Sequence, residues 1–507
     1  MVATRRKSYA PEDFGASDDE GPVSPRRGSS RKTPAKAAKT PATTPARATR
    51  ASRKSLGADE DEEGKDKSWH ADGGSGLRGE GFAAFTAVAG ALALMVLCPP
   101  VAILMWYVIV HKDGSVLLMY NDFAKYGPKH IVDIWPTATP RAWAIIASFS
   151  ALQIFFMMCM PGKKHLGPVT PMGNVPVYKA NGMQSYIATM AVTVAVWKYE
   201  IFNPVYVYTY FGEILAALNI FALALCAFLL VKGHFFPSST DSGSNGNFIF
   251  DYYWGMELYP RIFGIDIKTF TNCRFGMMLW GVLNVCYIIA QYEKYGYVAD
   301  SMWIGAILQT VYVAKFFWWE TGYWGSMDIM HDRAGYYLCW GCLVWVPCIY
   351  TSPGLYLVGH PVTLGTVKAA AIAISGVACV WINYDADRQR QEFRQTNGKS
   401  KVWGKAPVMI KASYTTGAGE KKTSLLLCSG WWRVARHFHY LPEIMSSFFW
   451  TAPCTFTHAL PYFYVVYLTI LLADRAGRHD ERCQAKYGKH WDQYCKLVPY
   501  KMLPYIY

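Results

Sequence analysis

Residues 211–231 read FGEILAALNIFALALCAFLLV, a run with a single charge at Glu213. A helix rises 1.5 Å per residue, so about 20 apolar residues cross the roughly 30 Å hydrocarbon core of a bilayer. This run has that length. Comparable runs occupy 82–110, containing Pro99-Pro100, and then 141–160, 183–202, 275–291, 298–318, 334–351 and 363–384. A final stretch, 441–473, contains Pro442, Pro453 and Pro461 and is long enough for one overlong helix or two short ones. The pattern predicts an all-α polytopic membrane protein with about ten transmembrane helices.

Composition agrees. Of 507 residues, 52% are apolar and 17% charged, against roughly 25% charged in ordinary soluble domains. The 50 Lys+Arg and 36 Asp+Glu give +14. The first 80 residues hold 16 of the bases and 13 of the acids, so most of the excess lies on the apolar remainder. Such a balance points to membrane topology rather than to a nucleic-acid domain.

Three regions follow. Residues 1–80 form a basic and acidic tail, expected to be disordered. Its repeats around Ser24-Pro25-Arg26-Arg27, Thr33-Pro34-Ala35-Lys36 and Thr44-Pro45-Ala46-Arg47 suit either a solvated, phosphorylatable tail or one that binds DNA or acidic surfaces. Within it, Gly74-Ser75-Gly76-Leu77-Arg78-Gly79 matches G-x-G-x-x-G, but no apolar strand precedes it, and it reads as linker. Residues 81–384 are the transmembrane helices, and 385–507 a carboxyl-terminal region with the last two short membrane helices. Asp385–Arg436 carries 11 bases against 4 acids and Asp474–Tyr507 carries 7 against 4. The positive-inside tendency places both in the cytosol. The stretch between them must then return, as short or partly inserted helices packed against other spans.

Metal chemistry has little support. Cys339-Trp340-Gly341-Cys342 lies in an aromatic apolar helix without a second pair, and reads as buried thiols. His437 and His439 have no carboxylate at metal spacing, so no metal is expected. Charged groups near spans are more informative, because each costs at least about 2.5 kcal/mol to bury in hydrocarbon. Glu320, Tyr323, Asp328, His331 and Asp332 follow the run Phe316-Phe317-Trp318-Trp319. They suit a buried ion-pair network or, as a group, a proton source beside an aromatic-lined cavity. On a helix, Arg390 and Arg394 share a face and repel modestly, which an anionic ligand or lipid phosphates would relieve. Arg436, Lys486 and Lys489, near Trp432, Tyr440, Tyr487, Trp491 and Tyr494, combine cations for phosphates with rings for stacking.

Two longer motifs carry a resemblance. Residues 246–261, GNFIFDYYWGMELYPR, and 483–499, CQAKYGKHWDQYCKLVP, resemble the two signatures of the sterol reductases that include the lamin B receptor. The likeness covers nearly everything after residue 85. TNCRFGMM at 271–278, HDRAG at 331–335, DRQRQEFR at 387–394 and SGWW at 429–432 resemble the plant-type Δ7-reducing branch. Met256 stands where Δ14 reductases usually have Arg.

The resemblance implies NADPH-dependent reduction of the C7–C8 double bond of 5,7-diene sterols, by protonation and hydride transfer, in the endoplasmic reticulum membrane and its continuation in the nuclear envelope. It implies a cytosol-facing NADPH pocket in the carboxyl-terminal half. Arg390 and Arg394 would meet the cofactor's phosphates. Leu427, Trp432, His439 and Tyr440 would line the pocket, with Cys483, Gln484, Ala485, Lys486, Tyr487 and Tyr494. His479 stands where the family commonly has Asp, so either His479 or Asp480 makes that contact; His439 is Asn in many relatives. The acid would be Glu320, Asp328, His331 or Asp332, with Tyr323 as a relay. Expected partners are a sterol substrate, membrane lipids and other sterol-pathway enzymes, with no nucleic acid for the membrane domain. A Δ14-sterol reductase, a lamin B receptor-like nuclear-envelope protein and an isoprenylcysteine-type methyltransferase are the alternatives.

Overall fold

The computed structural model describes residues 82–170, 172–415 and 421–507. The amino-terminal tail and its Gly74–Gly79 motif lie outside the described residues. The principal helices are α1 (Phe82–His111), α2 (Pro140–Cys159), α3 (Gly182–Lys198), α4 (Phe211–Phe235), α5 (Ile267–Tyr295), α6 (Asp300–Trp318), α7 (Tyr336–Gly359) and α8 (Thr366–Gln395). Three follow: α9 (Tyr440–Thr451), α10 (Phe463–Tyr487) and α11 (Lys489–Leu497). Six of these helices, α1, α2, α4, α5, α7 and α8, are long and apolar enough to cross a membrane.

The helices correspond to the apolar runs, with three informative differences. First, α8 does not stop at 384 but continues through the expected region boundary to Gln395. Its 30 residues span about 45 Å, more than a bilayer core, so one end projects beyond the hydrocarbon. Second, the 441–473 stretch does reverse, but unequally. The first helix, α9, ends at Thr451 before Pro453, and Pro461 opens a tight turn at Leu460–Tyr462. The second helix, α10, is not short: it runs 25 residues into the polar segment, to Tyr487. Third, the protein is mostly helical rather than purely so, since among the described residues the polar connections hold three antiparallel hairpins. β1 (Lys163–Leu166) pairs with β2 (Val177–Ala180), β3 (Arg261–Ile262) with β4 (Ile265–Asp266), and β5 (Met409–Thr415) with β6 (Lys421–Leu427). Hydropathy is blind to short strands outside the hydrocarbon.

Aromatic packing ties the return helices to the bundle. Trp280 of α5 lies edge-on to Trp450 of α9 at 5.8 Å, and Trp450 stacks on Tyr464 of α10 at 6.1 Å. Trp280 and Trp450 are both essentially fully buried, and the Trp280 indole donates to Gln309 Oε1 at 2.7 Å. Two helices carry widened π-helical turns, Phe270–Gly276 in α5 and Gly341–Tyr350 in α7. Pro347, which lacks an N–H, explains the second. The two meet at Gly276, where an added Cβ would stand 2.7 Å from the Cys342 carbonyl oxygen.

One buried ion pair joins three elements. Arg274, fully buried in α5, pairs with Glu320 and donates to Asn181 Oδ1 at 2.9 Å, while Glu320 Oε2 also accepts from the Gly182 N–H at 2.8 Å. Arg274→Met strands that carboxylate, and is expected to cost about 3–5 kcal/mol of stability. Adding Glu320→Gln should recover most of it. Thermal unfolding in detergent reads both; no recovery would show that the charge pairing is not what holds the corner.

Candidate functional site

The projecting end of α8 carries three arginines, Arg390 and Arg394 on one face and Arg388 on another. Arg388 turns to Asp385 at 2.6 Å and Glu392 at 2.7 Å. Arg390 lies with its guanidinium 4.2 Å from the centre of the Trp432 ring and makes only a long 3.4 Å bond to Asp387. That geometry leaves most of its donors available to an anion. Trp432 is itself fixed, buried and donating to the Ala386 carbonyl at 2.8 Å. Arg394 follows Arg390 by one turn, and between them Phe393 is sealed against Val402, Leu427 and Trp432.

Arg390, Arg394, Leu427, Trp432, His479 and Tyr494 line one pocket. Phe393, Leu425, Leu426, Arg436 and Trp491 complete its wall. Arg436 and Trp491 belong to the cations and rings that the sequence marks for phosphates and stacking, though not to the residues that the resemblance assigns to the cofactor. Leu425 and Leu426 have no signal in the sequence beyond their neighbour Leu427.

The structure separates His479 from Asp480. His479 lines the pocket, edge-on to the His437 ring at 4.8 Å. The Asp480 carboxylate is occupied by the Arg436 guanidinium, at 3.0 and 2.9 Å. Behind the pocket, Cys483, Tyr487 and Tyr494 form a buried cluster with Ala412, Tyr414 and Trp491. Lys486 lies 4.2 Å over the Tyr414 ring. Gln484 donates to Asp492 Oδ1 at 3.1 Å, and it and Ala485 are exposed. His439 and Tyr440 continue the aromatic wall, the His439 ring 5.0 Å from Trp432 and 4.2 Å from Tyr440.

The acidic group occupies a second cluster. Glu320 is held by Arg274 and Gly182 as described, a partner on each oxygen. Asp328 pairs with Arg475 of α10 at 2.7 Å. Tyr323 is packed against Phe316 at 5.2 Å, and its hydroxyl has no hydrogen-bond partner among the described residues. His331 is buried. Asp332 is 1% exposed, and its Oδ1 likewise has no partner among the described residues. The buried Lys268 ammonium fixes the loop, donating to the Ile329 and Asp332 carbonyls at 2.7 and 2.6 Å. Burial, followed by the charge of Asp328, raises the Asp332 pKa. Tyr440 connects the clusters, within electrostatic range of Arg390 and Asp387 on one side and of Arg475 and Asp328 on the other.

The donor set fits a phosphorylated dinucleotide: two arginines one turn apart, fixed rings and an apolar wall. His439 adds a buried Nδ1 that has no partner among the described residues.

Burial pushes the His439 pKa down to about 3, and Arg390 and His479 act in the same direction. Its unfolded value is about 6.5, so folding favours the neutral ring. Its contribution is therefore complete above about pH 7 and is lost as the pH falls through 6.5. Relative to His439→Asn, the protein should lose about 1.4 kcal/mol between pH 7.5 and 5.5. Unfolding midpoints at the two pH values test this; a pH-independent difference would contradict it.

The chain is similar to known proteins over most of its length. Residues 80–507 match the model of the ergosterol biosynthesis ERG4/ERG24 family. A protein of Arabidopsis thaliana named 7-dehydrocholesterol reductase is 58% identical over 420 residues, 83% of this chain and 97% of the relative. The 7-dehydrocholesterol reductase of Xenopus laevis is 38% identical over 75% of this chain and 84% of its own length. A Delta(14)-sterol reductase of Methylotuvimicrobium alcaliphilum is 33% identical over 82% of this chain and 94% of its own.

Proposed function

The chain belongs to the ergosterol biosynthesis ERG4/ERG24 family of sterol reductases, and on that premise we propose that it reduces the C7–C8 double bond of 5,7-diene sterols using NADPH. It is a multi-pass membrane oxidoreductase of sterol biosynthesis acting on a CH–CH bond. Kinship with 7-dehydrocholesterol reductases supports the Δ7 position. So does Met256, an apolar residue buried against Gly233 where the Δ14 branch usually has Arg. The observation that supports the mechanism is that α10 carries Arg475, paired with Asp328, and one turn on His479, which lines the arginine-bearing pocket.

The residues divide the work. Arg390 and Arg394 bind the phosphates, and Trp432, Leu427, Tyr494 and His479 form the walls that orient the cofactor. Asp480 serves by holding Arg436. Cys483 and Tyr487 support the wall from behind, and Lys486, Gln484 and Ala485 lie at its outer edge. NADPH, when bound, supplies the hydride.

An isolated alkene accepts hydride poorly, so protonation comes first. Asp332 is the acid, because burial and then Asp328 raise its pKa to about 6, so that a fraction of the carboxyl carries a proton near neutral pH. Transfer to carbon 8 leaves a cation at carbon 7, delocalised by the 5,6 double bond. Tyr323 and Tyr440 are the relays nearest this path, and the aromatic packing excludes water that would otherwise trap the cation. Glu320, with its salt bridge to Arg274, and Asp328, with Arg475, serve as structural carboxylates, and His331 packs beside the acid. We place the pocket on the cytosolic face and the protein in the endoplasmic reticulum membrane. About ten membrane segments result if α3, α6 and α10 also cross and the 12-residue α9 inserts part-way.

Membranes containing the protein should lose the conjugated-diene absorbance of 7-dehydrocholesterol with NADPH; no loss would overturn the assignment. Arg394→Ala should weaken NADPH binding about 10- to 100-fold, the loss of one or two charge-assisted hydrogen bonds, and leave sterol binding within about 2-fold. Equal loss of both would assign Arg394 to folding.

Asp332→Asn keeps the size of the side chain and removes the proton. It should cut turnover by at least about 100-fold with NADPH affinity unchanged. Retained turnover would move the acid elsewhere in the cluster.

A further inference from the structure

A second pocket, of about 530 Å³, lies between the last turn of α2 and the first turn of α5, and Tyr323 of the acidic cluster packs against the Tyr178–Trp324 pair that lines it. Its lining includes four residues at most 5% exposed: Asp266, Thr269, Tyr178 and Trp324. Each has a buried polar atom without a hydrogen-bond partner among the described residues: Asp266 Oδ2, Thr269 Oγ1, Tyr178 Oη and Trp324 Nε1. Leaving such a group unpaired costs about 1–3 kcal/mol. Four around one cavity indicate a site completed by a ligand carrying both donors and acceptors.

The floor is built rather than accidental. Asp266 uses its other oxygen to accept from the Thr269 N–H at 2.8 Å, capping the start of α5. Tyr178 stacks on Trp324 at 4.7 Å, with the rings within 10° of parallel. The rim is basic. Lys179 donates to the Met158 carbonyl at 2.7 Å and Arg261 to the Val177 carbonyl at 2.7 Å, each bond leaving further N–H groups. Lys164, on β1, is exposed beside them. Met157, Met158 and Ile265 supply apolar wall, and α2 and α5 are both membrane-crossing helices. A pocket where two such helices end sits at headgroup depth. One carboxylate at the floor below three cations at the mouth calls for a ligand with a donor inside and an anion outside.

We propose that this pocket binds the headgroup of an aminophospholipid, with its amine at Asp266, its phosphate beneath Lys164, Lys179 and Arg261, and an acyl chain leaving over Met157 and Met158. A sterol would satisfy one floor group and make no use of the cations. A choline headgroup brings the phosphate but has no N–H to donate to Asp266. The site is independent of the reductase assignment.

Native mass spectrometry of the delipidated full-length protein, titrated separately with phosphatidylethanolamine, phosphatidylcholine, phosphatidylglycerol and cholesterol, tests this. The ethanolamine lipid should bind about 10-fold more tightly than the choline lipid, the scale of one charge-assisted hydrogen bond. Asp266→Asn preserves an acceptor for the Thr269 cap and should abolish that preference. Lys164→Glu, at an exposed position, should weaken ethanolamine and glycerol lipids alike with the unfolding midpoint unchanged, and it serves alone if Asp266→Asn does not fold. Equal binding of ethanolamine and choline lipids, an unaltered preference in Asp266→Asn, no effect of Lys164→Glu, or displacement of the phospholipid by cholesterol would each overturn the proposal.

Discussion

The carboxyl-terminal site depends on one guanidinium. Arg436, 7% exposed, binds both oxygens of Asp480 on α10 and donates to the carbonyls of Val498 and Pro499 at 2.8 and 2.9 Å. The backbone N–H groups of Arg436 and His437 add bonds to the Tyr500 and Lys501 carbonyls. The chain entering α9, the outer part of α10 and the segment after α11 are thereby held together by a single planar fork of donors. That fork fixes where His479 stands and where His437, His439 and Tyr440 begin. A lysine there could not make the same set of directional bonds.

The bilayer explains why such a fork is needed. Within hydrocarbon each helix satisfies its own backbone, but nothing there positions polar side chains. The molecule extends α8 and α10 beyond their apolar stretches, so rigid helices carry Arg390, Arg394 and His479, and a hairpin and α11 wall the space between. The sterol cannot leave the apolar phase and the dinucleotide cannot enter it. On the proposed function their reacting atoms meet near such helix ends, where α10 carries both Arg475, paired with Asp328, and His479 of the basic pocket. Arg274–Glu320 and Arg475–Asp328 show how the remaining charges near the membrane are tolerated: each is paired.

Much of this is legible in the amino-acid order. Apolar runs of span length mark the helices, and Pro453 and Pro461 mark the reversal between α9 and α10. Helical spacing alone puts Arg390 and Arg394 on one face. The extensions of α8 and α10 are hidden because hydropathy marks where the hydrocarbon ends, not where the helix does. The hairpins are hidden because short strands in polar loops have no periodicity long enough to register. His479 and Asp480 look interchangeable as neighbours in a string. On a helix, successive residues are rotated by about 100°, so one faces the pocket and the other faces Arg436. The pairing of Glu320 with Arg274, 46 positions apart, is a tertiary fact with no local signature.

The central claim is that a proton from the buried acidic cluster and a hydride from the cofactor add to opposite ends of one double bond. Isotope tracing tests it most directly: 7-dehydrocholesterol reduced with NADPH deuterated at the transferring position in ordinary water, and separately with ordinary NADPH in heavy water. The account predicts cofactor deuterium at carbon 7 only and solvent deuterium at carbon 8 only. Solvent deuterium at carbon 7, or cofactor deuterium at carbon 8, would contradict it.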